Sequence, residues 1–336
     1  MLATPFTRLA GVTVPIMQAP IGSCCCPELA AAVSNAGGLG MLALSWNTPQ
    51  GCERQIRSTQ LLTAAPFGVN LVVEWDQMDR LRLCLDAGVK VVSLFWGAPD
   101  AYLPSIHSAG GVAIVQIGSV DEAKQAADAG ADAVLCQGFE AGGHVRGRVG
   151  SLALIPSVVD AVSPLPVLAA GGFADGRGLA AALALGASAI SMGTRFVASQ
   201  ESRAHPAYKQ RLLEARAEDT VHTSLFDGGW EGAPHRVIRN STVEEWERAG
   251  RPKRGHRPTE GAFIGRIKGK EIALYDDTPP LRDLEGEWER CPLYAGESVA
   301  LVHELRPAAE IVREVAAEAE RTIARLNQFC GAVERT

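Results

Sequence analysis

Two glycine-rich segments and one histidine carry most of the chemistry legible in this chain of 336 residues. Ala169-Ala-Gly171-Gly172-Phe-Ala-Asp-Gly176-Arg-Gly178 and Ser191-Met192-Gly193-Thr194-Arg195 each place glycines directly after a strand-like run. Glycine lets backbone approach a ligand closely, and amides at a helix start favour an anion. Tight turns alone would account for one such segment, but two of them after successive strands favour a phosphate-bearing ligand. The third segment, Cys136-Gln137-Gly138-Phe139-Glu140-Ala141-Gly142-Gly143-His144, puts an imidazole after two flexible residues. Histidine is the side chain best poised for proton transfer near neutral pH. Gln137 and Asn70 are uncharged amides near strand ends, suited to a heteroaromatic ring with donors and acceptors, although turn formation is the default for Asn70 alone. The six other histidines, His107, His205, His222, His235, His256 and His303, are expected to be structural or solvated.

Positioning these groups requires a scaffold, and one is visible from residue 14 to residue 194. Short apolar runs alternate with amphipathic stretches that end in Ala-Gly or Leu-Gly, the glycine (37, 88, 110, 130, 186) supplying a left-handed C′ position before the next strand. Eight strands are expected at 15–21, 39–44, 67–73, 90–95, 112–118, 133–138, 166–170 and 189–193, continuous apolar runs of the kind buried on both faces. Eight parallel strands with helical crossovers fit an α/β, TIM-barrel-like (β/α)8 fold, whose functional groups sit on the loops after the strands. An open doubly wound sheet is the rival, but the first turn lacks a G-x-G-x-x-G entry into a helix. Residues 1–216 are assigned to the barrel, with a helix at 201–216. Residues 217–295 form a smaller inserted irregular or lid subdomain, where 228–280 shows little periodicity and is expected to carry little of the chemistry. Residues 296–336 are read as a pair of closing C-terminal helices interrupted by Pro307.

Composition bounds the partners. With 32 Lys+Arg against 38 Asp+Glu the net charge is −6, a poor match to nucleic acid. Hydrophobic residues at 47% and charged residues at 21% describe a globular chain with ample core. The first residues lack the basic start of a signal peptide, and no run of about 18 apolar residues suits a membrane span. Eight cysteines without a C-x-x-C pair, three of them adjacent at Cys24-Cys25-Cys26, suit neither zinc nor a disulfide framework. A reducing cytoplasm, no metal and buried thiols are expected.

Taken together, Pro15-Ile-Met-Gln-Ala-Pro20, Ala36-Gly-Gly-Leu-Gly40, Gly68-Val-Asn-Leu71, Gln137-Gly-x-Glu-Ala-Gly-Gly-His144, Ala169-Ala-Gly-Gly172 and Met192-Gly-Thr-Arg-Phe196 resemble the nitronate monooxygenase family, formerly the 2-nitropropane dioxygenases. Thr220-x-x-Thr223 through Arg239-Asn240 and Leu293-Tyr-Ala-Gly-Glu-Ser298 extend the resemblance to nearly the whole chain. The resemblance implies an FMN enzyme in which Met17, Gln18, Ala19, Pro20 and Asn70 line the isoalloxazine, with Gln116 and Gln137 near the ring or ribityl chain. By the same similarity Gly142 and Gly143 approach the cofactor, Gly171, Gly172, Ser191, Met192, Gly193 and Thr194 hold its phosphate, and His144 occupies the position of the catalytic base. Arg146 and Arg148, just after it, suit an anionic substrate or simple solvation.

The function implied is oxidation of alkyl nitronates by O₂ through bound FMN, a small-molecule reaction of a monomer or homodimer. The flavin would do the redox step while the protein orients. An FMN-dependent NAD(P)H reductase, of quinone reductase or enoyl-acyl-carrier-protein reductase type, shares the Glu-Ala-Gly-Gly-His segment. A flavin-binding sensor without turnover, or a phosphate-binding isomerase barrel that would use Glu140, are readings from other classes.

Overall fold

The computed structural model describes residues 2–331. Eight parallel strands form one sheet: β1 (Ile16–Gln18), β2 (Gly40–Ala43), β3 (Phe67–Val73), β4 (Val91–Gly97), β5 (Val112–Ile117) and β6 (Ala133–Gln137), then β8 (Val167–Ala170) and β9 (Ala189–Met192). Between β6 and β8 lies the two-residue β7 (Gly143–His144), outside the barrel. The order β1-β9-β8-β6-β5-β4-β3-β2 closes on itself, because Gln18 N–H donates to Leu39 O at 2.9 Å and Leu39 N–H to Ile16 O at 2.9 Å. All eight expected strands are present, each within a few residues of its expected ends. The five glycines assigned to left-handed positions have φ between 65° and 98°.

Burial explains why the strands read as apolar runs and not as alternating ones. Met17, Met41, Ile114, Leu135 and Leu168 fill the barrel interior, sealed by Phe6 of the short helix Pro5–Ala10. The residues between them, such as Ile16, Leu42, Val92, Val134 and Ile190, face outward into the layer shared with the helices. Both faces are dry, as in any parallel barrel.

After β9 the chain departs from the expected boundaries. The helix expected at 201–216 is Pro206–Glu214, started by Pro206 at a position where its missing N–H is not needed, with the His205 ring nitrogen accepting from Ala207 N–H. Residues 220–286 hold five strands: β10 (Thr220–Thr223), β11 (His235–Ile238), β12 (Phe263–Ile267), β13 (Lys270–Ala273) and β14 (Leu284–Gly286), together with the helix Ser241–Arg248. Strands of three to five residues are too short to show periodicity, so they were invisible in sequence. One three-stranded sheet has the order β13-β12-β14. The other, β10-β11-β7, takes its third strand from the barrel loop that carries His144.

The expected pair of closing helices is instead a 3-10 turn, Glu297–Leu301, followed by one helix, Ala308–Gly331. Pro307 precedes that helix and does not interrupt it; the first helical amide, Ala308 N–H, which has no partner within the helix, donates to the Glu201 carboxylate at 2.9 Å. The helix packs on Gly176–Ala184, where Gly176 has no room for a Cβ, which would stand 2.4 Å from Ala319 N. Among the described residues no helix is long and apolar enough to cross a membrane.

Candidate active site

A cavity of about 540 Å³ opens at the C-terminal ends of the barrel strands. Of the residues singled out in sequence, Ala19, Pro20, Asn70, Gln116, Gln137, Gly142, Gly143, His144, Gly171, Gly172, Ser191, Gly193 and Thr194 line it. Met17, Gln18 and Met192 do not. Met17 points into the barrel core and Met192 into the outer layer. Gln18 is a brace: its amide oxygen accepts from Met41 N–H at 2.9 Å, and its amide nitrogen donates to Ala19 O and to the Cys25 thiol.

His144 is held by backbone from three directions. Gly143 and His144 pair antiparallel with Arg236 and His235, and Gln137 Nε2 donates to His144 O at 3.1 Å. Gly142 lies so close to the 295–296 backbone that a Cβ would stand 2.3 Å from Gly296 N. His222 Nε2 donates to Val145 O at 3.0 Å, fixing the residue that follows. The imidazole itself is free: its Nε2 is buried without a hydrogen-bond partner. Burial, with His235 nearby, pushes its pKa down to about 3, so the ring is neutral at any pH near 7 and its Nε2 lone pair is unprotonated. Trp230 tilts against it at a ring separation of 4.5 Å, and Tyr294 stands 5.8 Å away.

His235 illustrates the contrasting role expected for the other histidines. Fully buried, it donates from Nδ1 to Ala233 O at 2.9 Å and accepts at Nε2 from Phe226 N–H at 3.3 Å. Both nitrogens are occupied and burial holds its pKa down to about 4, so it is a neutral structural member.

Three orphaned polar atoms face this region: His144 Nε2, Asn70 Oδ1 and Ser191 Oγ are all buried without partners. Buried polar atoms are rarely left unpaired, so three on residues that line one cavity mark a place for a polar ligand. The glycine loops are locked from behind. Ser151 Oγ donates to Gly171 O at 2.8 Å, and Ser151 N–H donates to the Glu140 carboxylate at 3.0 Å. Glu140 therefore closes a helix start, which removes the carboxylate on which the isomerase reading depended. The start of the helix Gly176–Ala184 is also occupied, since Gly176 N–H donates to Glu318 at 2.7 Å and Gly178 N–H to Asp175 at 3.0 Å. An anion would thus meet the amides around Gly171-Gly172 and Gly193-Thr194 and not that helix end.

Several lining residues went unnoticed in sequence: Trp46, Phe95, Tyr208, Trp230, Asp276, Asp277 and Tyr294. Three of these, Trp230, Asp276 and Asp277, lie in the segment 228–280, so the region expected to carry little chemistry supplies part of the cavity lining. Asp277 is partly buried and its carboxyl is raised to about 7 by desolvation and the neighbouring Asp276. Arg146 pairs with Glu122 at 3.1 Å and stacks over Trp96, while Arg148 is exposed. Cys24 lines the cavity, but burial pushes its thiol up to about 12, so it is inert as a nucleophile. Cys24, Cys25, Cys26, Cys52, Cys84, Cys136 and Cys291 are free and buried.

The chain matches the family model of nitronate monooxygenases over residues 3–79 and 73–318. It is 41% identical over 255 residues, 75% of this chain and 70% of the relative, to (3aS,4S,5R,7aS)-5-hydroxy-7a-methyl-1-oxo-octahydro-1H-indene-4-carboxyl-CoA dehydrogenase of Mycobacterium tuberculosis. It is 34% identical to nitronate monooxygenase of Pseudomonas aeruginosa, covering 93% of this chain and 98% of that one. Among solved structures, FabK from Thermotoga maritima superposes with a TM-score of 0.81 at 32% identity, over 98% of this chain and 100% of that chain. A closed barrel with its cavity above β6, β8 and β9, and these matches along nearly its whole length, establish that the chain belongs to the nitronate monooxygenase family and is a flavin-dependent oxidoreductase.

Proposed function

We propose that the protein oxidises alkyl nitronates by O₂ with FMN as its flavin, and that His144 is the base that converts a neutral nitroalkane to the nitronate. The observation that carries this reading is the buried, neutral and unpartnered Nε2 of His144 at the cavity wall. FMN fits the donor set. Asn70 and Gln137 offer amides to the ring, Gln116 lies on the same wall, and Ser191 and Thr194 with the Gly171-Gly172 backbone offer hydroxyls and amides to a phosphate. Ala19, Pro20, Gly142, Gly143 and Gly193 complete the surface, with Met17, Gln18 and Met192 supporting it from behind. When bound, FMN supplies the electron acceptor that reoxidises with O₂.

The protein's own task is proton transfer. The α-carbon of a nitroalkane gives its proton to His144 Nε2, and the C–H electron pair stays on the substrate as the nitronate. A neutral imidazole has its lone pair free for this step, and the nitronate anion formed beside it would offset the imidazolium charge that burial disfavours. The enclosing Trp230 and Tyr294 rings keep water from competing for the proton.

Replacing His144 by Asn should depress turnover of nitroethane by about 10²–10⁴-fold, the usual contribution of a positioned base, and that of ethylnitronate far less. Flavin content should be unchanged. Equal losses on both substrates in parallel kinetics would sink the base assignment.

A second reading is FMN-dependent chemistry on a larger substrate, including an NAD(P)H-dependent reductase. It is favoured by the Mycobacterium relative, named for a carboxyl-CoA dehydrogenase. Rapid anaerobic bleaching of the flavin by NADH or NADPH, with ethylnitronate inert, would favour it over the nitronate reading.

A further inference from the structure

Four of the six tryptophans in the chain, Trp46, Trp75, Trp96 and Trp230, converge on one rim of the cavity together with Phe95. They come from four separate segments: the loops after β2 and β3, the end of β4, and the stretch before β11. Trp230 is the hub, with ring separations of 4.5 Å to His144, 4.7 Å to Trp96, 5.0 Å to Trp75, 6.2 Å to Phe95 and 6.5 Å to Trp46. Trp46, Phe95 and Trp230 form the cavity wall, with Trp75 and Trp96 behind them.

Two features set this cluster apart from ordinary core. Trp46 is 56% exposed and Trp75 is 39% exposed, although both belong to a contiguous aromatic surface. An apolar patch left open beside a reactive group marks a place where apolar surface is buried by a ligand. The second feature is backbone strain. Trp96 has φ 58°, a left-handed conformation that a bulky residue rarely adopts, and it sits in a bulge where β4 slips one residue against β3. The bulge brings the neighbouring rings of Phe95 and Trp96 both to Trp230.

We propose that this aromatic collar is a recognition subsite for a bulky neutral ring skeleton, alicyclic or polycyclic, carried by the substrate whose reacting carbon lies at His144. The inference rests on the reading of His144 as the reactive end of the cavity. Contiguity supports it: the ring in contact with His144 is the same ring that contacts the other four, so a substrate extending from His144 runs along the collar. Charge supports it too. The charged side chains of the cavity wall, Lys270, Asp276 and Asp277, all come from one stretch at 270–277, and the one guanidinium on the collar, Arg146, lies over Trp96 and is paired with Glu122. A small nitroalkane would leave Trp46, one ring beyond Trp230, uncovered.

The test uses the flavin-loaded protein and a ligand that is not turned over. Binding of 2-decalone, butanone and choline is followed by tryptophan fluorescence and by the flavin absorption band, in the wild type and in Trp46→Ala, whose exposed site tolerates truncation. Decalone is expected to bind at least about tenfold more tightly than butanone, and Trp46→Ala to reduce that ratio to within about threefold, because the extra apolar area is then no longer buried. Equal affinity for decalone and butanone in the wild type overturns the proposal, as does tighter binding of choline. A Trp46→Ala protein with a lowered melting temperature and an unchanged ratio also overturns it, by making the collar packing alone. If decalone shows the expected preference while ethylnitronate fails to reduce the flavin, the collar stands and the nitronate reading falls.

Discussion

At the scale of single residues, the site combines one proposed base, His144, with several residues that only constrain backbone. Gly172 and Gly142 separate the two kinds of constraint. Gly172 has φ 86°, but a Cβ there meets nothing closer than 3.9 Å, so a side chain is opposed by backbone conformation and by whatever occupies the cavity. Gly172→Leu is expected to cost stability only about 1–2 kcal/mol, the ordinary left-handed penalty, and to lose most of the bound flavin on purification. Full flavin occupancy by absorbance would count against a phosphate at this loop. Gly142 differs because its Cβ would fall among the backbone atoms of Ala295 and Gly296. Gly142→Ala should therefore separate the His144 loop from its support and destabilise the whole protein by roughly 3 kcal/mol or more, as overpacking against backbone does. Urea unfolding of both variants checks the contrast; similar losses would mean that the two glycines do the same work.

At the scale of elements, the site depends on irregularities imposed on regular strands. The bulge near the end of β4 needs Gly97 as much as Trp96. Gly97 has φ 74°, and its Cβ would stand 2.4 Å from Val73 O. Gly97→Ala is expected to destabilise by about 2–4 kcal/mol through strain and a forced shift against β3. It should also move the tryptophan emission, because Trp96 and Trp230 would no longer meet. Denaturant unfolding gives the first quantity and a fluorescence spectrum of the folded variant the second; an unchanged spectrum would mean that the bulge does not set the collar. The two-residue strand β7 is the corresponding device for His144: pairing with β11 converts a flexible Gly-Gly-His loop into a fixed edge.

The whole molecule couples the buried groups of the site to acid stability. His144 and His235 have folded pKa values of about 3 and about 4, below the ordinary 6.5, so the folded state leaves them neutral where the unfolded chain takes up protons. Each therefore makes the protein lose stability as pH falls from about 6.5 toward its folded value. Asp277 acts in the opposite direction. Its folded value of about 7 lies above the ordinary 3.8, so it holds a proton between those limits that the unfolded chain releases. Two protons gained on unfolding against one released leave a net uptake of about one between pH 4 and 6.5, and stability should fall as pH drops through that window. Asp277→Asn removes the opposing group and should make the fall steeper, toward two protons. Unfolding free energies at a series of pH values measure both slopes, and a flat profile in either protein would contradict the assignment.

The barrel and its glycine-rich loops were legible in the sequence because both rest on local rules. Strands buried on two faces must be continuously apolar, left-handed helix ends must be glycine, and a barrel presents its chemistry at the ends of those strands, so Asn70, Gln137, His144, Gly171 and Ser191 could be placed without a structure. The residues that complete the lining were not legible. Trp46, Phe95, Trp230, Asp277 and Tyr294 lie far apart in the chain, on loops and short strands with no periodicity, and nothing local distinguishes them from ordinary core or surface residues. Tertiary packing decided that the inserted segment supplies part of that lining, and that the Nε2 of His144 would be buried and its ring neutral. Burial and proximity belong to pairs of distant residues, and no single stretch of sequence records them.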